Sequence, residues 1–100
     1  MRDIPFPKNR KPIHPGVYIK KDILEEYGLT QGELATKLNV TRQTILDLVH
    51  ERRNISTDMA RRLERLTGAS ARYWLNLQNS YDLWKAELDH EKIEIQRLTA

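Results

Sequence analysis

Leu29 to Asn54, LTQGELATKLNVTRQTILDLVHERRN, is the stretch whose reading decides the fold. It reads as two short helices joined by a tight turn. Thr30 opens the first, because its hydroxyl can take a backbone N–H of the opening turn while Glu33, three residues on, reaches back to the N–H of Thr30. Leu34, Ala35 and Leu38 share one face, and the small Ala35 lets a second helix cross close by. Asn39 ends this helix, since Asn tolerates the left-handed backbone of a sharp stop, and Val40 plugs the corner. Thr41 caps the second helix, in which Ile45, Leu48 and Val49 fall at i, i+3 and i+4 and face inward. Arg42, Gln43, Leu46, Asp47 and His50 are left on the open side, where polar side chains at the front of a crossed helix suit the major groove of DNA.

One hundred residues, 39% of them apolar, make one small domain with a single core. No apolar run reaches the roughly 20 residues of a membrane span, and the first residues lack the apolar stretch of a secretory signal, so a cytoplasmic protein is expected. The absence of cysteine excludes a disulfide framework and any thiolate metal site. The three histidines are scattered without a paired motif, so neither a metal nor a cofactor is expected. Glu33 and the histidines assemble no nucleophile or acid–base constellation, which argues against an enzyme. Net charge is +3 and the pI about 9.3, with positive charge concentrated near the N-terminus and between Arg42 and Arg65. Such a bias serves solubility in any small domain, but beside the helix pair it favours a polyanionic partner.

Residues 1–13, MRDIPFPKNRKPI, hold three prolines and four basic residues without periodicity and should form an extended arm. Arg2, Lys8, Arg10 and Lys11 would either follow a phosphate backbone or minor groove or lie in a solvated tail. A helix-turn-helix domain is then expected over 14–90, with a tail or helix extension over 91–100 that carries Ile93, Ile95 and Leu98. Pro15 suits the first position of a helix running to Tyr27 and stopping at Gly28, with Val17, Leu24 and Tyr27 buried and Ile23 or the stem of Lys20 alongside. His14 is assigned to local capping. After the helix pair, Arg52 and Arg53 place two guanidinium forks on a short loop, a geometry suited to phosphate. Ser56 caps a fourth helix, Thr57 to Thr67, with Met59, Leu63 and Leu66 inward and Arg61, Arg62 and Arg65 mostly outward, and Gly68 ends it.

Ser70 caps the fifth helix, residues 71–90, the longest and most aromatic. Trp74, Leu77, Tyr81, Trp84 and Leu88 recur at steps of three and four, the spacing of a helix buried along one seam. Packing on helices one and four accounts for part of this stripe, a homodimer seam is the reading for the remainder, and a small-ligand pocket is a third. Two tryptophans each need area on the order of 200 Å², which five short helices do not easily supply, so a seam shared by two chains is favoured.

With these elements placed, the chain resembles the HigA-type antitoxins, a branch of the lambda-repressor-like (Xre) helix-turn-helix regulators. KPIHPGVYIKKDILEEYGLTQGELATKLNVTRQTILDLVHERRNIS and MARRLERLTGASARYWLNLQNSYDLWKAE carry the resemblance. It implies an all-α, five-helix domain with an extended N-terminal arm and a long C-terminal helix. It further implies a homodimeric repressor of its own operon that binds a palindromic operator in double-stranded DNA and neutralises a RelE-like, mRNA-cleaving toxin of the HigB type. A free-standing Xre-family regulator without a toxin is the alternative. Gln31 matches a phosphate-touching position, and Arg42, Gln43 and Asp47 match positions that reach base edges. Those side chains suit guanine, adenine and cytosine N4 in turn, while Thr44, Arg52, Arg53 and Asn54 would join Gln31 on phosphates. Glu51 stands where the family usually has Gly, and His50 where Asn is common, so a left-handed backbone at Glu51 would be strained.

Overall fold

Every helix begins where a side chain supplies the hydrogen bond that the first turn lacks. The structure, a computed structural model, describes residues 11–88 and 93–98. Arg2, Lys8 and Arg10 of the expected arm, the last two positions of the expected fifth helix, and residues 91, 92, 99 and 100 of the tail lie outside the described residues. Five helices and no strand are found among those described. α1 opens at Pro15–Tyr18 and continues through a π-helical stretch, Ile19–Glu25, and His14 Nδ1 caps it by accepting from the Gly16 N–H at 2.9 Å. α2 is Gln31–Leu38, and the reciprocal Thr30 and Glu33 bonds, 2.8 and 3.0 Å, are both made. Asn39 is left-handed, at φ 60° and ψ 47°, and turns the chain into α3, Arg42–Val49, capped by Thr41. Ser56 caps α4, Thr57–Thr67, which stops at Gly68 with φ 85°. Ser70 Oγ accepts from the Tyr73 N–H at 3.0 Å to start α5, Ala71–Leu88. Each such cap stabilises its helix by about 1 kcal/mol.

The core joins Ile19, Ile23 and Leu24 of α1 to Leu34, Ala35 and Leu38 of α2, Ile45 and Leu48 of α3, Met59, Ala60 and Leu63 of α4, and Trp74 of α5. Fully burying a Leu or Ile contributes about 1.5–3 kcal/mol, so this cluster carries most of the apolar driving force. α3 is thereby fixed by Ile45 and Leu48, with its opposite side left to solvent.

Three expectations need correcting. In α1 the buried face is Ile19, Ile23 and Leu24, while Tyr27 is 72% exposed. The π-helical stretch, with its i to i+5 hydrogen bonds, widens the turn and moves the inward positions off the ordinary 3.6-residue spacing. In α4, Ala60 takes the inward place expected of Leu66, which is exposed. In α5, Trp74 is 3% exposed within its own chain and has nothing left for a partner's seam. Leu77 is partly buried against the core, Tyr81 and Trp84 are half-buried, and Leu88 is exposed, as is Leu83. A buried polar residue, Gln78, interrupts the apolar stripe.

Arg62 has a structural task that its position in the sequence did not announce. Its Nη1 donates to the Leu38 and Asn39 carbonyls at 2.9 and 3.2 Å, and its Nε to Asp58 at 2.7 Å. α4 therefore closes the open carbonyl end of α2 at the turn of the helix pair. No helix among the described residues is long and apolar enough to cross a membrane.

Candidate nucleic-acid interface

The open side of α3 begins with Arg42 and Gln43, both exposed in the first turn. Gln43 Nε2 donates to Asp47 Oδ1 at 2.8 Å, one helical turn on. Arg52 Nη2 reaches the same oxygen at 3.3 Å, and Arg53 Nη2 lies 3.9 Å from Asp47 Oδ2. One carboxylate thus gathers a base-edge candidate and two phosphate candidates into a single polar front. The Gln43 hydrogen bond, followed by those of Arg52 and the charges of Arg52 and Arg53, holds the Asp47 carboxyl below its ordinary value. Asp47 is accordingly ionised at neutral pH, and it organises donors around itself.

Thr44 is half-buried and turned toward the cap: its N–H donates to Thr41 Oγ1 at 3.2 Å and the two hydroxyls share a bond of 2.9 Å. Gln31, half-buried, sits at the first position of α2, where unpaired backbone N–H groups and the helix dipole favour an anion. Glu33, weighed earlier for chemistry, spends its carboxylate on the Thr30 cap.

The loop after α3 keeps the left-handed backbone: Glu51 has φ 60°. A non-glycine residue there costs roughly 1–2 kcal/mol. Bonds from the Glu51 N–H to the Leu48 carbonyl, 3.0 Å, and from the Arg52 N–H to the Asp47 carbonyl, 2.8 Å, hold it in place. The turn brings Arg52 and Arg53 back to Asp47 on the side that α3 presents. Asn54, also exposed, is bonded through its Oδ1 to Gln78 at 3.1 Å.

Beneath this loop lies His14, 2% exposed, with its ring edge-on to Tyr81 at 4.9 Å. Burial lowers the imidazole pKa, an effect partly opposed by Glu51, Asp82 and a backbone hydrogen bond with Arg53, and reinforced by Lys85. A neutral Nδ1 is what the Gly16 N–H requires. Because the fold disfavours the proton, the unfolded chain binds more protons below its own His pKa of about 6.5, and stability is lost as pH falls through that value. Thermal melts should hold steady above about pH 7.5 and shift downward as pH drops through about 6.5. His14→Asn, which keeps a capping acceptor but does not titrate, should remove that fall; an identical pH profile in this variant would contradict the assignment.

Of the residues that sequence reasoning assigned to DNA, the structure gathers Gln43, Arg52 and Arg53 around Asp47, leaves Arg42 exposed in the same first turn of α3, and bonds Asn54 to Gln78 of α5. Sequence reasoning missed Gln78, Arg62 and the supporting position of His14 beneath the loop. The one available signal for Gln78 was a polar residue four positions after Trp74, inside an otherwise apolar stripe.

Comparison with known proteins agrees with this geometry. The HTH_3 model, described as helix-turn-helix, matches residues 20–74. Virulence-associated protein I of Dichelobacter nodosus is 43% identical, covering 92% of this chain and 86% of that protein. Antitoxin HigA-1 of Vibrio cholerae is 32% identical over 75% of this chain and 70% of its own length. The solved structure of Pseudomonas aeruginosa antitoxin HigA with the higBA promoter has a TM-score of 0.75 and 39% identity, covering 89% of this chain and all of that one (100%). The chain belongs to the HTH_3, Xre-like helix-turn-helix family, in the branch that contains the HigA-type antitoxins.

Proposed function

We propose that this protein is the antitoxin of a type II toxin–antitoxin pair: a homodimeric, sequence-specific repressor of its own operon that also binds and neutralises a RelE-like, mRNA-cleaving toxin of the HigB type. The observation that carries the reading is the polar front of α3, where Arg42, Gln43 and Asp47 stand beside the loop of Arg52, Arg53 and Asn54. Arg42 and Gln43 read guanine and adenine edges, and Asp47 sets the Gln43 amide while accepting from cytosine. Arg52, Arg53, Asn54, Gln31 and Thr44 hold phosphates and fix the register. The likeness to an antitoxin solved with its promoter supports the DNA-binding part of this reading.

Two half-sites about one DNA turn apart, roughly 34 Å, require two copies. The remainder of the α5 stripe supports the second copy: Trp84 is half-buried, with the Lys11 ammonium 5.5 Å from its ring centroid, and Leu83 and Leu88 are exposed beside it. Trp84→Arg should therefore sediment as a monomer while keeping its helical circular dichroism, and should lose at least tenfold in operator affinity as two-site binding fails. An unchanged dimer would remove α5 from the interface.

Purification of the chain from its native host tests the toxin arm. Recovery of a small basic protein encoded beside it supports the antitoxin reading. Recovery of the chain alone, from a gene with no such neighbour, favours the free-standing regulator.

A further inference from the structure

We propose that Gln78, buried in α5, is a positioning residue for the phosphate clamp, setting the polarity of the Asn54 side-chain amide so that its NH₂ group faces DNA. The inference rests on the reading of Asn54 as a phosphate contact and names what makes that contact work.

Gln78 is 5% exposed. Its Oε1 accepts from the Ile55 backbone N–H at 2.7 Å, and its Nε2 donates to Asp82 Oδ1 at 2.9 Å and to Asn54 Oδ1 at 3.1 Å. The orientation of this amide follows from its partners. A backbone N–H only donates and an ionised carboxylate only accepts, so the oxygen must face Ile55 and the nitrogen must face Asp82. The second N–H then reaches Asn54, which can answer only with its carbonyl oxygen. Asn54 is exposed, and its NH₂ is what remains to meet a ligand. Phosphate oxygens are acceptors, so this polarity is the productive one; the reverse would set a carbonyl oxygen against a phosphate. A chain of three side chains, Asp82 to Gln78 to Asn54, thereby carries a directional instruction from α5 to the loop. The Ile55 bond adds position to polarity, because it ties the backbone next to Asn54 to the same glutamine.

Gln78→Glu reverses the instruction. The new carboxylate still accepts from Ile55, but it cannot donate, so it draws the Asn54 NH₂ inward. The experiment titrates operator and scrambled duplexes with four full-length proteins: wild type, N54A, Q78E and the N54A/Q78E double variant. N54A should weaken both duplexes by a similar factor, about tenfold, as expected for a hydrogen bond to a charged group that carries no sequence information. Q78E should weaken both by at least as much. The double variant should bind no more weakly than N54A alone, because Gln78 acts through Asn54. If Q78E weakens binding as strongly in the N54A background as in the wild type, or not at all, Gln78 has no positioning role. If N54A itself binds like wild type, the phosphate reading of Asn54 fails and the inference fails with it, a result distinguishable from the first. Should Q78E lose helical circular dichroism, the cycle is run with Gln78→Met, which adds no charge and must show the same non-additivity.

Discussion

Gly16→Ala should strip this domain of much of its stability. A β-carbon at Gly16 would fall far inside van der Waals contact distance of the Leu48 carbonyl oxygen and 2.8 Å from its carbon. The obstacle is backbone at the last turn of α3, so no side-chain rotation relieves it. Overpacking of this kind costs typically about 1–3 kcal/mol and occasionally more, and a rigid obstacle places it at the upper end. The gain of about 0.4–1 kcal/mol from a stiffer unfolded chain does not offset it. In a domain of this size that corresponds to a fall in Tm of more than about 10 °C. Operator binding should fall as well, because relief of the clash moves α3. Gly32→Ala is the internal control: its β-carbon would meet nothing nearer than Thr30 Oγ1 at 4.0 Å, and its Tm should match or exceed that of the wild type. A Gly16→Ala protein that melts with the wild type would show that α1 and α3 are not in contact at this point.

Gln43→Ala is the second large effect, and it falls on recognition rather than stability. One Gln43 N–H is committed to Asp47, which leaves the second N–H and Oε1 free for the two-point contact that adenine offers. Its loss should cost about 1–3 kcal/mol of operator affinity, with little change on scrambled DNA. Gln43 is exposed and outside the core, so the melting curve should hardly move. A loss of equal size on both duplexes would reassign Gln43 to the phosphates. The Asp47 bond would also preorganise the side chain for the proposed adenine contact, since it fixes part of its rotamer freedom before any base is met.

The helix boundaries were legible in the sequence because their causes are local. Thr30, Thr41, Ser56 and Ser70 each bond a backbone N–H three residues on, and Asn39 and Gly68 supply left-handed stops within the same few residues. The inward positions of α2 and α3 were legible for the same reason, as ordinary helical spacing. α1 was read less well because its π-helical stretch departs from that spacing, which exchanged Tyr27 for Ile19. Contacts that are distant in the chain left little trace. Gln78 meets Ile55 across 23 residues, Arg62 meets Leu38 across 24, and Gly16 meets the Leu48 backbone with no side chain to mark the approach. Trp74 was counted toward a seam because periodicity shows that a face is buried without showing what buries it.

Under the proposed function, α3 and its following loop read a particular DNA sequence in pairs. Titration of the wild-type protein onto a fragment of its own promoter and onto a scrambled fragment of equal length, at one fixed salt concentration near physiological, tests it most directly. The promoter should bind at least about a thousandfold more tightly, and its footprint should cover two symmetric half-sites about one helical turn apart. Equal affinity for the two fragments would show that α3 does not read sequence.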